Sequence, residues 1–293
     1  MNQTLQRLAL AAVLTAAFAA CASAQTLPSF KDSEYAYPDL ITSEFDGDYR
    51  VFAYDPLRDI RNEGDASSRA VRPQSASLGI RRKQRDLILK TNAGRVAHIA
   101  VGQREDASII VLFAHGRGAN REHGVHDFNS GGNFNRIKNM VEKAGGLYLS
   151  PDFADFGQKG AGQVAGLIEL YAEKSPRAPV FVACGSMGGA ICYNLAENAT
   201  VAQRLGGILF LGSYPDDAFF SSAAFQRRVP VLLAQGTDDD VYPVEWMEAF
   251  FNDLRTRAPG YPVRMICFDR GTHGSPLRMV DWRETINWML AAR

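Results

Sequence analysis

The sequence predicts an α/β domain with a mostly parallel sheet and helices on both faces. Three observations lead there. From residue 87 onward, short apolar runs alternate with stretches of helical spacing, as repeated strand–helix units require. Some of these runs, such as 109–113, are continuous, the pattern of a strand buried on both faces. The composition is 46% hydrophobic and 22% charged with a formal net charge of +0. That balance excludes disorder as the main state and leaves no electrostatic footprint for nucleic acid.

Taken in chain order, residues 1–24 stand apart from the fold. Arg7 is their only charged residue, an apolar run follows over 8–20, and Ala22-Ser23-Ala24 completes the pattern of a secretory signal peptide. Cleavage after Ala24 is expected, with export to the periplasm or beyond. Phe18-Ala19-Ala20-Cys21 also reads as a loose lipoprotein site, which would place a lipid anchor on Cys21. No run reaches the roughly 20 apolar residues of a membrane span.

Residues 25–86 read as an N-terminal arm of irregular order, with a short strand at 49–54. Its basic cluster (Arg69, Arg72, Arg81, Arg82, Lys83, Arg85) reads as a solvated face. The catalytic domain is expected over 87–293. Strands at 87–90 and 96–101 are joined by the turn signal Asn92-Ala93-Gly94. The strand at 109–113 leads to a helix at 134–143, where Phe134, Ile137 and Val141 share one face. Further strands are expected at 147–149, 180–183, 208–211, 231–234 and 263–268. Helices are expected at 163–171, 188–197, 244–254 and 285–290. The connection 212–230 is too short for a large cap domain. Cys184, Cys192 and Cys267 lie in apolar contexts, which predicts buried small residues with at most one disulfide.

In sheets of this kind, sites form at the carboxyl ends of strands, and four such ends carry unusual residues. Cys184-Gly185-Ser186-Met187-Gly188-Gly189 runs from strand to helix through a tight turn, which would push a serine hydroxyl outward as a nucleophile. Ala114-His115-Gly116-Arg117-Gly118 ends another strand. Its glycines would let backbone N–H groups face a bound oxygen, with Arg117 and Met187 as the oxyanion donors; His115 reads as a structural histidine. Gly236-Thr237-Asp238-Asp239-Asp240 follows a third strand and supplies a carboxylate. Thr272-His273-Gly274 follows the last strand and supplies an imidazole. A serine hydroxyl needs such a base at neutral pH, and the base needs an orienting acid.

The chain order Ser186, acid, His273 and the stretch Gly236 to Pro243 together resemble the α/β-hydrolase superfamily over roughly residues 87–293. The resemblance implies the fold of that superfamily and places the acid at Asp239, with Asp238 and Asp240 as fallbacks and Asp216 or Asp217 as a rarer placement. The nucleophile motif departs from the usual G-x-S-x-G by carrying Cys184 at the first glycine position. The implied activity is a serine hydrolase of carboxylic esters, acting on short-chain or soluble small-molecule esters through an acyl-enzyme. No metal and no organic cofactor is implied. Phe219, Phe220 and Phe225 are candidates for one pocket wall. Peptidase, thioesterase or acyltransferase chemistry would use the same residues. Two further readings belong to other classes. A non-catalytic binding protein could share the fold, and His123-Gly124-Val125-His126-Asp127 could serve a metal-dependent hydrolase if further ligands converged on it.

Overall fold

A computed structural model describes residues 26–55, 59 and 76–293. The signal-peptide and Cys21 readings, and Arg69 and Arg72, lie outside these residues. Ten strands form one sheet: β1 (Leu40–Glu44), β2 (Tyr49–Ala53), β3 (Gln84–Thr91), β4 (Gly94–Gly102), β5 (Ile110–Ala114), β6 (Leu147–Pro151), β7 (Val180–Gly185), β8 (Leu205–Leu211), β9 (Val231–Gly236) and β10 (Val263–Asp269). Their spatial order is β1-β2-β10-β9-β8-β7-β5-β6-β4-β3. The pairs from β6 through β10 to β2 are parallel. The two flanks, β3–β4–β6 and β1–β2, are antiparallel.

Five longer helices cover the sheet: α1 (Asn133–Lys143), α2 (Gln158–Lys174), α3 (Gly189–Glu197), α4 (Val244–Arg257) and α5 (Trp282–Ala291). The period-2 geometry of a strand sends alternate residues to opposite faces. Ile110, Leu112, Val180, Val182, Ile208 and Phe210 join the core under α2, α3 and α4. Val111, Phe113, Phe181, Ala183, Leu209 and Leu211 join the core under α1 and α5. Both faces are therefore apolar along the same strands, which explains the continuous runs in the sequence.

The described part of the N-terminal segment contributes two strands, one of them where the sequence predicts a strand at 49–54. β2 extends the parallel sheet beyond β10, and β1 turns back on β2. The boundary drawn at residue 86 falls inside β3. Ahead of β1 the chain is pinned by Arg136, a fully buried α1 side chain that reaches Asp32 and Asp281, each at 3.1 Å. Arg136 also donates to the Phe30 carbonyl at 3.2 Å, and its guanidinium lies over the Tyr35 ring. Asp281 meanwhile caps α5, accepting from Arg283 and Glu284 N–H. One cation thus ties the N-terminal segment, α1 and the C-terminal helix together.

The basic cluster is only partly a solvated face. Arg81 pairs with buried Asp127 at 2.6 Å, while Arg82 and Arg85 are exposed. Asp127 also accepts from buried Lys138 at 2.8 Å and from Asn135 at 2.6 Å. Burial alone would raise the Asp127 pKa, but hydrogen bonds from Lys138, Asn135 and Arg81, with the charge of Lys138, hold it below the usual value. Burial has the opposite consequence for Lys138, whose ammonium is pulled below its ordinary pKa despite Asp127.

Two outcomes are expected. Arg136→Met leaves the Asp32 and Asp281 carboxylates without their shared cation and should lower unfolding stability by about 3 kcal/mol, as for other broken buried ion pairs; urea unfolding checks it. The Asp127 carboxyl is more acidic folded than unfolded. Its contribution is therefore complete above the ordinary value of 3.8 and is lost as pH falls through the folded pKa. Asp127→Asn should be less stable near neutrality and lose less stability than the wild type on acidification below about pH 4, as read from thermal unfolding across pH.

Candidate active site

The parallel strands all end on one edge, and the residues singled out at those ends meet there. Ser186 follows β7 directly, with φ +52°. That left-handed conformation is costly for a residue with a Cβ and lifts the side chain out of the strand–helix turn. The turn is tight enough to forbid side chains beside it. A Cβ on Gly188 would lie 2.6 Å from the Ala114 carbonyl oxygen, and one on Gly189 would lie 2.0 Å from Ser213 Oγ. Ser213 donates to the Ser186 carbonyl at 2.9 Å. Cys184, at the position usually held by glycine, is disulfide-bonded to Cys192 on α3. The strand end and the helix that flank the serine are therefore joined covalently. Cys267 is buried and free, and burial pushes its thiol up to about 12.

His273 Nε2 lies 2.8 Å from Ser186 Oγ. On its other side, His273 Nδ1 faces Asp239 at 2.9 Å (Oδ2) and 3.0 Å (Oδ1). An ionised carboxylate only accepts, so Nδ1 carries the proton and Nε2 is left to accept from the serine hydroxyl. The imidazole is half-exposed while the Asp239 side chain is fully buried. Its carboxylate is held by three further donors: Gln235 Nε2 at 2.7 Å, Val241 N–H at 2.9 Å and Tyr242 N–H at 3.0 Å. Gln235 also donates to the Tyr242 carbonyl at 2.7 Å, which fixes the acid turn from within the sheet.

Of the aspartates that the sequence offers as the acid, Asp239 is the one that contacts His273. Asp238 and Asp240 are exposed, and Asp216 caps the short helical turn after β8 by accepting from Ala218 N–H. Gln235 was not singled out for a role by sequence. A glutamine at a strand end four residues before an aspartate carries no signal until the turn brings the two together.

The Gly116–Arg117 loop sits against Ser186. A Cβ on Gly116 would lie 3.1 Å from Ser186 Cβ, so only a glycine lets the loop approach without displacing the serine. His115 is buried, stacks on Phe153 at 4.4 Å and contacts the Gly116 carbonyl through Nδ1 at 2.9 Å. Because that carbonyl only accepts, Nδ1 is the donor. The bond draws the Gly116 carbonyl toward His115, and the opposed N–H of the same peptide unit, that of Arg117, faces the other way. The Arg117 side chain is exposed and Met187 is half-exposed.

Other candidates resolve differently. Phe219 is buried and packs edge-on to Phe225 and Phe250, and Phe220 packs on Phe225 and Phe250. These rings belong to the core under α4 rather than to a pocket wall. The His123–Asp127 run does not converge. His126 Nδ1 accepts from the N–H groups of Phe128 and Asn129, His123 packs between Phe113 and Phe134, and Asp127 is engaged by Lys138 and Arg81. Among the described residues, no group of three or more His, Cys, Asp or Glu side chains is placed to hold a metal ion. A groove of about 690 Å³ lies between β3, β4 and α2, lined by Leu87, Leu89, Arg104 and Tyr171 among others. None of the residues lining it belongs to the serine–histidine–aspartate arrangement.

No family model matches the chain, and no curated protein matches it. Solved structures do. A putative α/β hydrolase from Agrobacterium tumefaciens, of unknown function, superposes with a TM-score of 0.52 at 15% identity, over 71% of this chain and 92% of that one. An α/β serine hydrolase homologue from Coxiella burnetii gives 0.52 at 17% identity, over 69% and 95%. The esterase Pf2001 from Pyrococcus furiosus gives 0.52 at 14% identity, over 87% and 98%. With this strand order and these structural neighbours, the chain has the α/β-hydrolase fold.

Proposed function

We propose that the protein is a serine hydrolase of carboxylic esters, with Ser186 as nucleophile, His273 as base and Asp239 as the orienting acid. The observation that carries this reading is the imidazole held between Ser186 Oγ and the buried Asp239 carboxylate, at 2.8 and 2.9 Å. Ser186 Oγ attacks the ester carbonyl carbon while its proton passes to His273 Nε2. Asp239 stabilises the imidazolium and keeps the productive tautomer. The tetrahedral oxyanion is held by the N–H groups of Arg117 and Met187, each such donor being worth about 3 kcal/mol. Collapse expels the alcohol, which leaves with the proton from Nε2. Water then repeats the sequence on the acyl-enzyme and releases the acid and free Ser186.

Ester chemistry is the class to which the similar esterase from Pyrococcus furiosus is assigned by name. Thioester or amide cleavage, or acyl transfer to another alcohol, would draw on the same residues, so the substrate test compares them directly. We further propose that the protein acts outside the cytoplasm. The N-terminal pattern described above supports export, and so does the Cys184–Cys192 disulfide, a bond that persists in oxidising compartments. Mass spectrometry of the exported protein should find a mature terminus at Gln25; a lipid-modified Cys21 would mark the anchored form instead.

A fluorophosphonate probe should label the wild type and fail to label Ser186→Ala. In a matched series of acetyl ester, thioester and anilide, the ester should turn over fastest. Ser186→Ala should lose at least several hundredfold in kcat/KM. Asp239→Asn, which permits the wrong imidazole tautomer, should lose on the order of 10³- to 10⁴-fold in kcat. An unlabelled wild type with no turnover would instead leave a silent binding protein on this fold.

A further inference from the structure

The strand order places a row of rings along the edge that carries the nucleophile. β7 leads into Ser186, β8 into Tyr214, β9 into Tyr242 and β10 into His273. Tyr242 meets the His273 imidazole edge-on with ring centres 5.6 Å apart, and Tyr214 lies 5.1 Å from Tyr242. Both tyrosines are half-exposed. Val241, the chain neighbour of Tyr242, is 49% exposed. The connection after β8 carries only short helical turns at Asp217–Ser221 and Ala223–Gln226. Half-exposed rings packed against the imidazole are available to a bound substrate.

The chemistry assigns this surface to one side of the substrate. The departing oxygen must take its proton from His273 Nε2, so it lies within hydrogen-bond reach of that nitrogen. The alcohol part of the ester therefore starts beside the imidazole, the ring that Tyr242 meets edge-on. The acyl oxygen is assigned to the Gly116–Arg117 loop, which approaches Ser186. Aromatic rings pair at centre separations of about 4.5–7 Å, and the Tyr214–Tyr242 pair already presents that spacing.

We propose that Tyr214 and Tyr242 form a binding subsite for an aromatic ring on the alcohol side of the ester, so that the preferred substrates are esters of arylmethyl-type alcohols. This rests on the ester-hydrolase reading above and extends it to the leaving group. No step is added: the arylmethyl alkoxide takes the imidazolium proton and departs as the alcohol.

The test uses benzyl acetate and cyclohexylmethyl acetate, whose acyl groups are identical and whose alcohols differ mainly in the aromaticity of the ring. Wild type should favour the benzyl ester about three- to tenfold in kcat/KM, the range of aromatic pairing beyond area burial. Tyr214→Leu and Tyr242→Leu should each bring that ratio toward one. Tyr214→Phe and Tyr242→Phe, which keep the rings, should retain it. A merely structural role would depress both esters together and leave the ratio intact. A wild-type ratio near one, or an unchanged ratio in both leucine variants, would overturn the proposal. Labelling of Ser186 by fluorophosphonate separates the two readings. A labelled enzyme without the preference, including one that cleaves neither ester, loses the aromatic subsite and keeps its triad. An unlabelled and inactive enzyme loses both.

Discussion

The arrangement depends on a single geometric constraint: parallel strands must end on a common edge. Ser186 and His273 are 87 residues apart in the chain, yet their side chains meet at 2.8 Å. No local interaction could bring this about. It follows from β7, β8, β9 and β10 lying side by side in one orientation, so that each strand delivers its following loop to the same place. The two apolar cores enforce that alignment. A one-residue slip of any central strand would exchange its two faces and drive each side chain into the core built for its neighbour, where it does not fit.

That constraint also explains what could be read in the sequence. The Ser186 turn, the Gly116–Arg117 loop and His273 each follow an apolar strand, and strand ends are where such folds place their chemistry. Three adjacent aspartates were less decisive, because composition does not say which one turns inward. Asp239 is fixed by N–H groups of its own turn, from Val241 and Tyr242, and by Gln235 from β9. The first two contacts are local, whereas the third needs the sheet. β2 is anticipated by the strand expected at 49–54, whereas β1 was hardest to foresee. At the sheet margin it carries mostly exposed residues, so the alternation that reveals a strand is weak. The Cys184–Cys192 pairing was not legible either, since three cysteines in apolar settings look alike until a helix turns one of them back onto the strand.

Several charged side chains that invite a functional reading turn out to hold the scaffold. Arg136 and Lys138 sit on α1 with no exposed side-chain surface. Each crosses to a segment that the helix could not reach through apolar contacts alone. The price of burying them is balanced by several oxygen partners apiece, the condition under which buried charge is tolerated. Asp127, the last residue of the His-rich run, is consumed in this way, and the run becomes a loop fastened to the helix beneath it.

Helix beginnings are ordinarily among the first parts of a protein to fray, because their opening disturbs few other contacts. The covalent tie between Cys184 and Cys192 removes that freedom from the first turns of α3 by fastening them to β7, a strand in the middle of the sheet. Local opening around Ser186 is thereby coupled to the most cooperative portion of the molecule. The Ser186 turn is consequently bracketed by a covalent bond, a restraint that the loops facing it do not share.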